Sequence, residues 1–437
     1  MYLKGSKWSM NQKRVRPNWF RIILLCLLVL AAAYVNRTVI STMPSPFIPT
    51  PTPTRSPQSF ITEAEEFFKK GSLTSAIAAY QQAILSNPDD PAVYVALARV
   101  QVFAGQNEAA VKSAGSAILL NGDSSMAYAV QAWALSAQGK YVEAEKSIQR
   151  ALTLDPQNAL AHAYYVEILV NSGDFNVIDK AIEESKVAVS LAPDALETHR
   201  ARGIILEATG NYDEAIVEYQ AAIQINPKIS GLYLALGQNL KAKGFNKDAI
   251  DAFGNADALN PDDPMPDYFI SRTYYTSGEL GKAMQYAKSA VDNDPVDTNL
   301  HGNLGVMYYL NSYLTESIEQ FGYVVNGGST ADGRKIEKLE LVPNNVRLAE
   351  YYSKYGLALA KTNKCSQALD IARTILERIP ADEDSVFNAN TIISRCEQNL
   401  NQTPVPLSTS SESTPSVSPT ATQTLDTTSG ETPTPTP

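Results

Sequence analysis

The chain has 437 residues, and its 36 basic and 46 acidic side chains give a formal net charge of −10. Eight basic and no acidic residues lie within the first 55, so the remainder has 28 basic against 46 acidic side chains, a net charge of −18. Because such a surface repels phosphate backbones, the charge excludes nucleic acid as a general partner and favours cationic or neutral ligands.

The N-terminal region has the composition of an export element. Residues 1–18 are a basic leader, and residues 19–40 contain the 14-residue apolar run IILLCLLVLAAAYV. This run is short for a membrane span and close to a signal-peptide core in length. The basic leader favours a single-pass transmembrane anchor with its N-terminus in the cytoplasm. Secretion after signal cleavage is the alternative, and both interpretations predict that the following residues lie outside the cytoplasm.

Residues 41–56 are rich in Pro and Thr and predict an extended linker. Beyond them, the stretch TGNYDEAIVEYQAAIQINP, residues 209–227, has apolar residues at helical spacing and ends at Pro227. A similar stripe between 196 and 209 predicts a second helix, joined to the first by a tight turn at Gly210. The unit is therefore a helical hairpin.

The hairpin recurs along the chain, with units that begin near 57, 91, 125, 159, 196, 230, 264, 298 and 349. Position 20 of these units is always small: Ala76, Ala110, Ala144, Ala181, Ala215, Ala249, Ala283, Ser317 and Ala368. With Gly at position 8, an aromatic residue at 24, Ala at 27 and Pro at 32, the pattern resembles the tetratricopeptide repeat.

The resemblance implies an all-α fold over residues 57–400, a right-handed superhelical solenoid of about nine hairpins plus a capping helix. An insertion at 326–345 is expected to project from the array as a loop with a short helix or strand. Residues 401–437 contain Thr, Ser and Pro but no aromatic residue, and predict a disordered tail.

The same resemblance implies a binding scaffold rather than an enzyme, because the first helix of each unit would line a concave groove. Aromatic residues mixed with arginine are typical of peptide-binding grooves. The candidate groove residues are Phe103, Trp133, Arg200, Tyr268, Arg272, Tyr275 and Tyr309, among a wider set with Phe68, Arg99, Glu167, Asn171, Gln238, Lys241 and Asn299. The expected partners are extended or helical segments of other proteins. The alternative function is a structural or assembly scaffold of the cell envelope without a peptide client.

No catalytic motif or cofactor site emerges from the residues. His162, His199 and His301 all occupy position 4 of their units, where a side chain packs between helices, so a structural role is expected. Cys365 and Cys396 predict a disulfide that closes a 31-residue span at the end of the array, the alternative being two separate buried thiols.

Overall fold

The computed structural model describes residues 18–35, 37 and 55–401. The predicted leader, linker and tail lie outside these residues, apart from positions 18, 55, 56 and 401 at their edges. Helix α1 runs from Trp19 to Val35, and no part of it is buried. No helix within the described ranges combines the length and the apolar character that a membrane span requires, so the predicted transmembrane helix is not supported.

The described chain is an all-α array of helical hairpins that divides into two compact units. Unit 1 extends to Ala208 and includes Gln224–Lys228, and unit 2 comprises Thr209–Ile223 and the chain from Ile229 onward. The helices of unit 1 are α2 (Pro57–Lys70), α3 (Leu73–Ser86), α4 (Pro91–Phe103), α5 (Asn107–Leu120), α6 (Ser125–Ser136), α7 (Tyr141–Leu154), α8 (Ala159–Asn171), α9 (Ile178–Leu191) and α10 (Leu196–Ala208).

Unit 2 continues the same alternation, and the last two residues of α11 are assigned to unit 1. Its elements are α11 (Tyr212–Ile225), α12 (Ser230–Ala242), α13 (Asn246–Leu259), α14 (Pro264–Thr276), α15 (Leu280–Asn293), α16 (Thr298–Leu310), α17 (Leu314–Asn326), β1 (Gly328–Ser329), β2 (Lys335–Ile336), α18 (Val346–Lys361), α19 (Cys365–Arg378) and α20 (Glu383–Asn401). From α3 to α10 in unit 1 and from α13 to α20 in unit 2, the second helix of each hairpin packs against the first helix of the next, so these hairpins stack in sequence order.

The first helix of the first eight hairpins begins where the repeat pattern places it. Helix α4 starts at Pro91 behind an N-cap at Asp90, whose side chain accepts from the Ala92 N–H at 3.0 Å. Asp263 does the same for α14, with its carboxylate 2.9 Å from the Met265 nitrogen. Such caps satisfy backbone donors that have no partner inside the helix. The ninth hairpin starts at 346, three residues before the predicted position.

Small residues allow the two helices of a hairpin to approach closely. All nine residues at position 20 are fully buried. Gly305, at position 8, lies against the ring of Phe321, and a Cβ at this glycine would be only 2.8 Å from the Phe321 Cδ1 atom. The repeated Gly, Ala and aromatic residues therefore pack the interiors of successive hairpins inside each unit.

The insertion forms a β-hairpin that packs against the helices instead of projecting from them. Strands β1 and β2 pair antiparallel, with Gly328 opposite Ile336. Ile336 is only 2% exposed, and the Leu339 backbone N–H donates to the Val324 carbonyl of α17 at 2.8 Å. The Tyr352 hydroxyl of α18 donates to the Leu339 carbonyl, also at 2.8 Å. The expected projection is therefore corrected: burial of its apolar side chains holds the insertion against α17 and α18.

Candidate functional site

The first helices of unit 1 present a row of four aromatic rings, one from each of α2, α4, α6 and α8. Phe68 contacts Phe103 with 5.6 Å between ring centroids, and Phe103 meets Trp133 edge-on at 4.9 Å. Trp133 stacks on Tyr164 at 4.5 Å with the two planes 6° apart. Trp133 and Tyr164 are buried, so only the earlier part of the row reaches the surface.

Each arginine beside this row is paired with its own buried glutamate. The Arg99 guanidinium lies 2.6 Å from the Glu197 carboxylate, and the Arg200 guanidinium lies 3.0 Å from that of Glu167. Glu167 also accepts from the Trp133 indole N–H at 2.8 Å. Burial raises the pKa of Glu167, although Arg200 and the indole N–H oppose the change. Burial alone would lower the pKa of Arg99, but the attraction of Glu197 outweighs it and the pKa is raised.

The structure thus brings together three predicted groove residues of unit 1, Phe103, Trp133 and Arg200. The Arg200 guanidinium carbon lies 5.0 Å from the Trp133 ring centroid. Trp133 itself is only 2% exposed and supports the face from beneath. Glu197 was not among the predicted groove residues, although it lies on the first helix of its repeat.

A cavity of about 660 Å³ opens beside the same row within unit 1. Its walls include Phe68, Arg99, Glu197 and Asn226. The Asn226 side-chain amide donates to the Phe68 carbonyl at 2.9 Å. Because the cavity wall carries charges of both signs in contact with each other, it has no strong preference for a cation or an anion.

Three tyrosines on the first helices of unit 2, Tyr268, Tyr275 and Tyr309, are each covered by a cation. The Arg347 guanidinium lies over the Tyr268 ring at 5.3 Å, and that of Arg272 lies over the Tyr275 ring at 5.2 Å. Lys354 and Lys361 both approach the Tyr309 ring, with their nitrogens 5.5 and 4.3 Å from its centroid. Contacts of this kind contribute about 0.5 to 2 kcal/mol each, depending on solvent exposure. Tyr275 and Tyr309 are half-buried and reach the surface, whereas Tyr268 is 3% exposed.

The Glu350 carboxylate forms ion pairs with two of the cations on this face. Glu350 lies 3.4 Å from Arg272 and 3.7 Å from Lys354. Within the described part of the chain, Lys241, Arg347 and Lys361 have no carboxylate oxygen within 4.0 Å. We call this group the basic–aromatic cluster: Lys241, Tyr268, Arg272, Tyr275, Tyr309, Arg347, Glu350, Lys354 and Lys361.

Two properties of the cluster mark it as electrostatically unsatisfied. Burial and the neighbouring Arg272 and Arg347 lower the pKa of Lys241 to about 8. The Tyr268 hydroxyl is buried, and among the residues that the structure describes it has no hydrogen-bond partner. Buried polar groups are usually paired, so each such exception calls for an explanation.

The histidines form hydrogen bonds that tie helices to turns. His162 contacts Glu184 at 2.5 Å through Nδ1 and the Pro156 carbonyl at 2.9 Å through Nε2. His301 repeats the arrangement with Gln320 at 2.7 Å and the Pro295 carbonyl at 3.0 Å. Burial would lower the pKa of His162, but its two acceptors outweigh burial and raise it. His199 lies on α10, the first helix of its own repeat.

Cys365 and Cys396 come together at the C-terminal end of unit 2. Their Cα atoms are 5.4 Å apart, and the pair forms a disulfide between α19 and α20. Cys396 is buried, and the bridge fixes the last helix of the array to its neighbour.

Comparison with known proteins agrees with the repeat period. Three family models match: a TPR repeat model over residues 64–102, a tetratricopeptide repeat model over 196–229, and a second tetratricopeptide repeat model over 95–159, 129–175 and 234–298. No curated protein matches the chain.

Several solved structures are similar to parts of the chain. One is a tetratricopeptide repeat protein from Parabacteroides merdae. It is 18% identical with a TM-score of 0.38, and the match covers 57% of this chain and 98% of that protein. Another is PilW, described as a type IV pilus biogenesis factor. It is 22% identical with a TM-score of 0.41, and the match covers 46% of this chain and 91% of PilW. A third is a thermophilic TPR protein of Thermus thermophilus. It is 22% identical with a TM-score of 0.36, and the match covers 43% of this chain and 100% of that protein. From the family-model matches we conclude that this chain carries tetratricopeptide repeats.

Proposed function

We propose that the chain is a scaffold that holds segments of partner proteins on its first helices and works outside the cytoplasm. The observation that carries this proposal is the exposed part of the basic–aromatic cluster, where Tyr275 and Tyr309 stand beside arginine and lysine side chains. Rings supply contact area with little loss of conformational entropy, and the adjacent cations orient a bound peptide. Because the hairpins are already packed, binding would not require the scaffold to order its own backbone.

The proposed compartment is supported by the Cys365–Cys396 pair, since disulfides persist in oxidising environments. The basic, then apolar, composition of the first 40 residues is a second and independent argument for export. We propose that this segment stays attached as a membrane tether. Carbonate-washed membranes should then retain the protein with its leader intact, whereas a mature N-terminus just after the small residues Ala31, Ala32 and Ala33 would identify a cleaved signal peptide.

The proposed role requires neither catalysis nor a cofactor. Over residues 18–35, 37 and 55–401, no group of three or more His, Cys, Asp and Glu side chains could hold a metal ion. Arg99 and Arg200, the arginines beside the aromatic row of unit 1, are paired with Glu197 and Glu167, which suits a structural role better than acid–base chemistry.

Site-specific photocross-linking in intact cells tests the scaffold function. A cross-linking amino acid placed at Tyr275 or Tyr309 should give discrete adducts with other proteins. The matched control is Val217, which is 61% exposed on α11, a second helix of unit 2. The same adducts from Val217 would contradict binding on the first helices. Adducts that contain only further copies of the chain would favour the assembly-scaffold alternative.

A further inference from the structure

The two units differ in how the basic side chains on their first helices are paired with carboxylates. In unit 1, Arg99 and Arg200 each have a glutamate of their own at 2.6 and 3.0 Å. In the basic–aromatic cluster of unit 2, Glu350 pairs with two of the five basic side chains, Arg272 at 3.4 Å and Lys354 at 3.7 Å. The same kind of helix face is therefore neutralised in one unit and left strongly cationic in the other.

The sign of this cluster is opposite to that of the chain as a whole, which has 46 acidic and 36 basic side chains. General composition consequently does not account for it. Like charges that are close and partly removed from water repel each other, and this repulsion weakens the unliganded fold. An anionic ligand would supply the missing counter-charges and relieve the repulsion on binding.

We propose that the basic–aromatic cluster binds an acidic segment of a partner protein, with carboxylates of the segment paired to Lys241, Arg272 and Arg347. The exposed rings of Tyr275 and Tyr309 would contact apolar or aromatic side chains placed between those carboxylates. This inference rests on the proposed scaffold function and specifies the chemistry of the partner. It differs from the expectation, drawn from net charge, that the chain selects cationic or neutral ligands.

The observations favour a polypeptide over a nucleic acid as the source of the negative charge. A nucleic acid carries charge along its whole length, and the remainder of this acidic chain would repel the part that extends beyond the cluster. A short acidic segment can confine its charge to the cluster. The chain's own residues 402–437 fit less well, because their acids are only Glu412, Asp426 and Glu431, separated by long uncharged stretches.

Fluorescence anisotropy with the full chain tests the proposal directly. The probe is a labelled peptide of about 12 residues in which glutamates alternate with Gly, Ser and one Phe; a second probe has glutamine at every glutamate position. The glutamate probe should bind at least about tenfold more tightly at low salt, and raising the ionic strength to about 0.5 M should remove most of this preference because salt screens exposed charges.

A pair of charge-matched variants locates the site. The variant Lys241→Glu/Arg347→Glu should lose about tenfold or more in affinity for the glutamate probe. The control Lys247→Glu/Lys288→Glu makes the same change in net charge at exposed positions on α13 and α15 and should retain wild-type affinity. The milder variant Lys241→Gln/Arg347→Gln should reproduce the loss, and circular dichroism should show wild-type helix content.

Four results would overturn the inference. The first two are equal binding of the glutamate and glutamine probes, and an equal loss of affinity in the control variant. Tighter binding of a single-stranded oligouridylate of matched length would assign the cluster to nucleic acid instead. A gain in affinity when the chain is truncated after Asn401 would assign it to the chain's own tail. If cross-linking at Tyr275 still captured a partner protein while the glutamate probe did not bind, the scaffold function would be supported and only the proposed acidic chemistry of the partner would be rejected.

Discussion

Replacing Lys241 by methionine should stabilise the unliganded protein. The side chain lies near Arg272 and Arg347 in a partly buried position, and its pKa is lowered from 10.5 to about 8. Below pH 8 the folded chain must therefore hold a proton that the unfolded chain holds more tightly. Methionine keeps the length and the apolar part of the side chain but removes the charge.

The magnitude follows from the change in pKa. A depression from 10.5 to about 8 corresponds to roughly 3 kcal/mol for a fully buried group. Because the Lys241 side chain retains contact with solvent, screening reduces this figure, and we expect a gain of about 1 to 2 kcal/mol at pH 7. The destabilisation is complete below pH 8 and fades as pH rises from about 8 to 10.5, since stability increases wherever the unfolded state binds more protons.

Urea unfolding followed by far-UV circular dichroism measures the effect. Lys241→Met should unfold at higher urea than the wild type at pH 7, and the difference should shrink at pH 9.5. The control Lys247→Met, at an exposed position on α13, should change the free energy of unfolding by less than about 0.5 kcal/mol. An unchanged or lower stability of Lys241→Met, or a gain that does not depend on pH, would refute the repulsion within the cluster.

Three further predictions concern the repeat framework. Gly305→Ala should lower the free energy of unfolding by about 1 to 3 kcal/mol, since its Cβ would be 2.8 Å from the Phe321 ring, and Phe321→Leu in the same chain should recover part of the loss in thermal unfolding. Reduction of the Cys365–Cys396 bridge, verified by mass spectrometry, should lower stability by about 3 to 4 kcal/mol for its 31-residue span, and unaltered urea unfolding would argue against a structural disulfide. Ser312→Gly should raise the free energy of unfolding by about 0.5 kcal/mol, and with it the unfolding temperature slightly, because Ser312 has a φ of 65°. A lower unfolding temperature would contradict strain at this turn.

The helix framework could be predicted because each structural requirement recurs with the repeat. Three features each recur at a fixed position of successive hairpins: a cap such as Asp90, a small residue such as Ala110, and a proline between units. Each signal is weak alone, but the period adds them together. The insertion did not repeat, so nothing in the periodicity indicated that Ile336 would be buried against the helices.

The electrostatics of the faces could not be predicted in the same way. Arg99 meets Glu197 across 98 residues of sequence, and a position within a repeat does not specify which rotamers will pair. Trp133 is buried and stacks on Tyr164, which was not among the predicted groove residues. Net charge is a sum over the chain, so it carries no information about where the cations lie.

The unpaired cations of unit 2 are informative because unit 1 displays the alternative on the same scaffold. Arg200 shows that a glutamate on the neighbouring first helix can neutralise an arginine at 3.0 Å without disturbing the stack. Folded chains usually satisfy such groups internally, and the exceptions concentrate where binding requires them. A repulsion that lowers stability without a ligand becomes a gain in affinity when a ligand removes it. The predicted stabilisation of Lys241→Met and the predicted loss of acidic-peptide binding in Lys241→Gln/Arg347→Gln therefore both depend on the charge of Lys241, and they should be observed together.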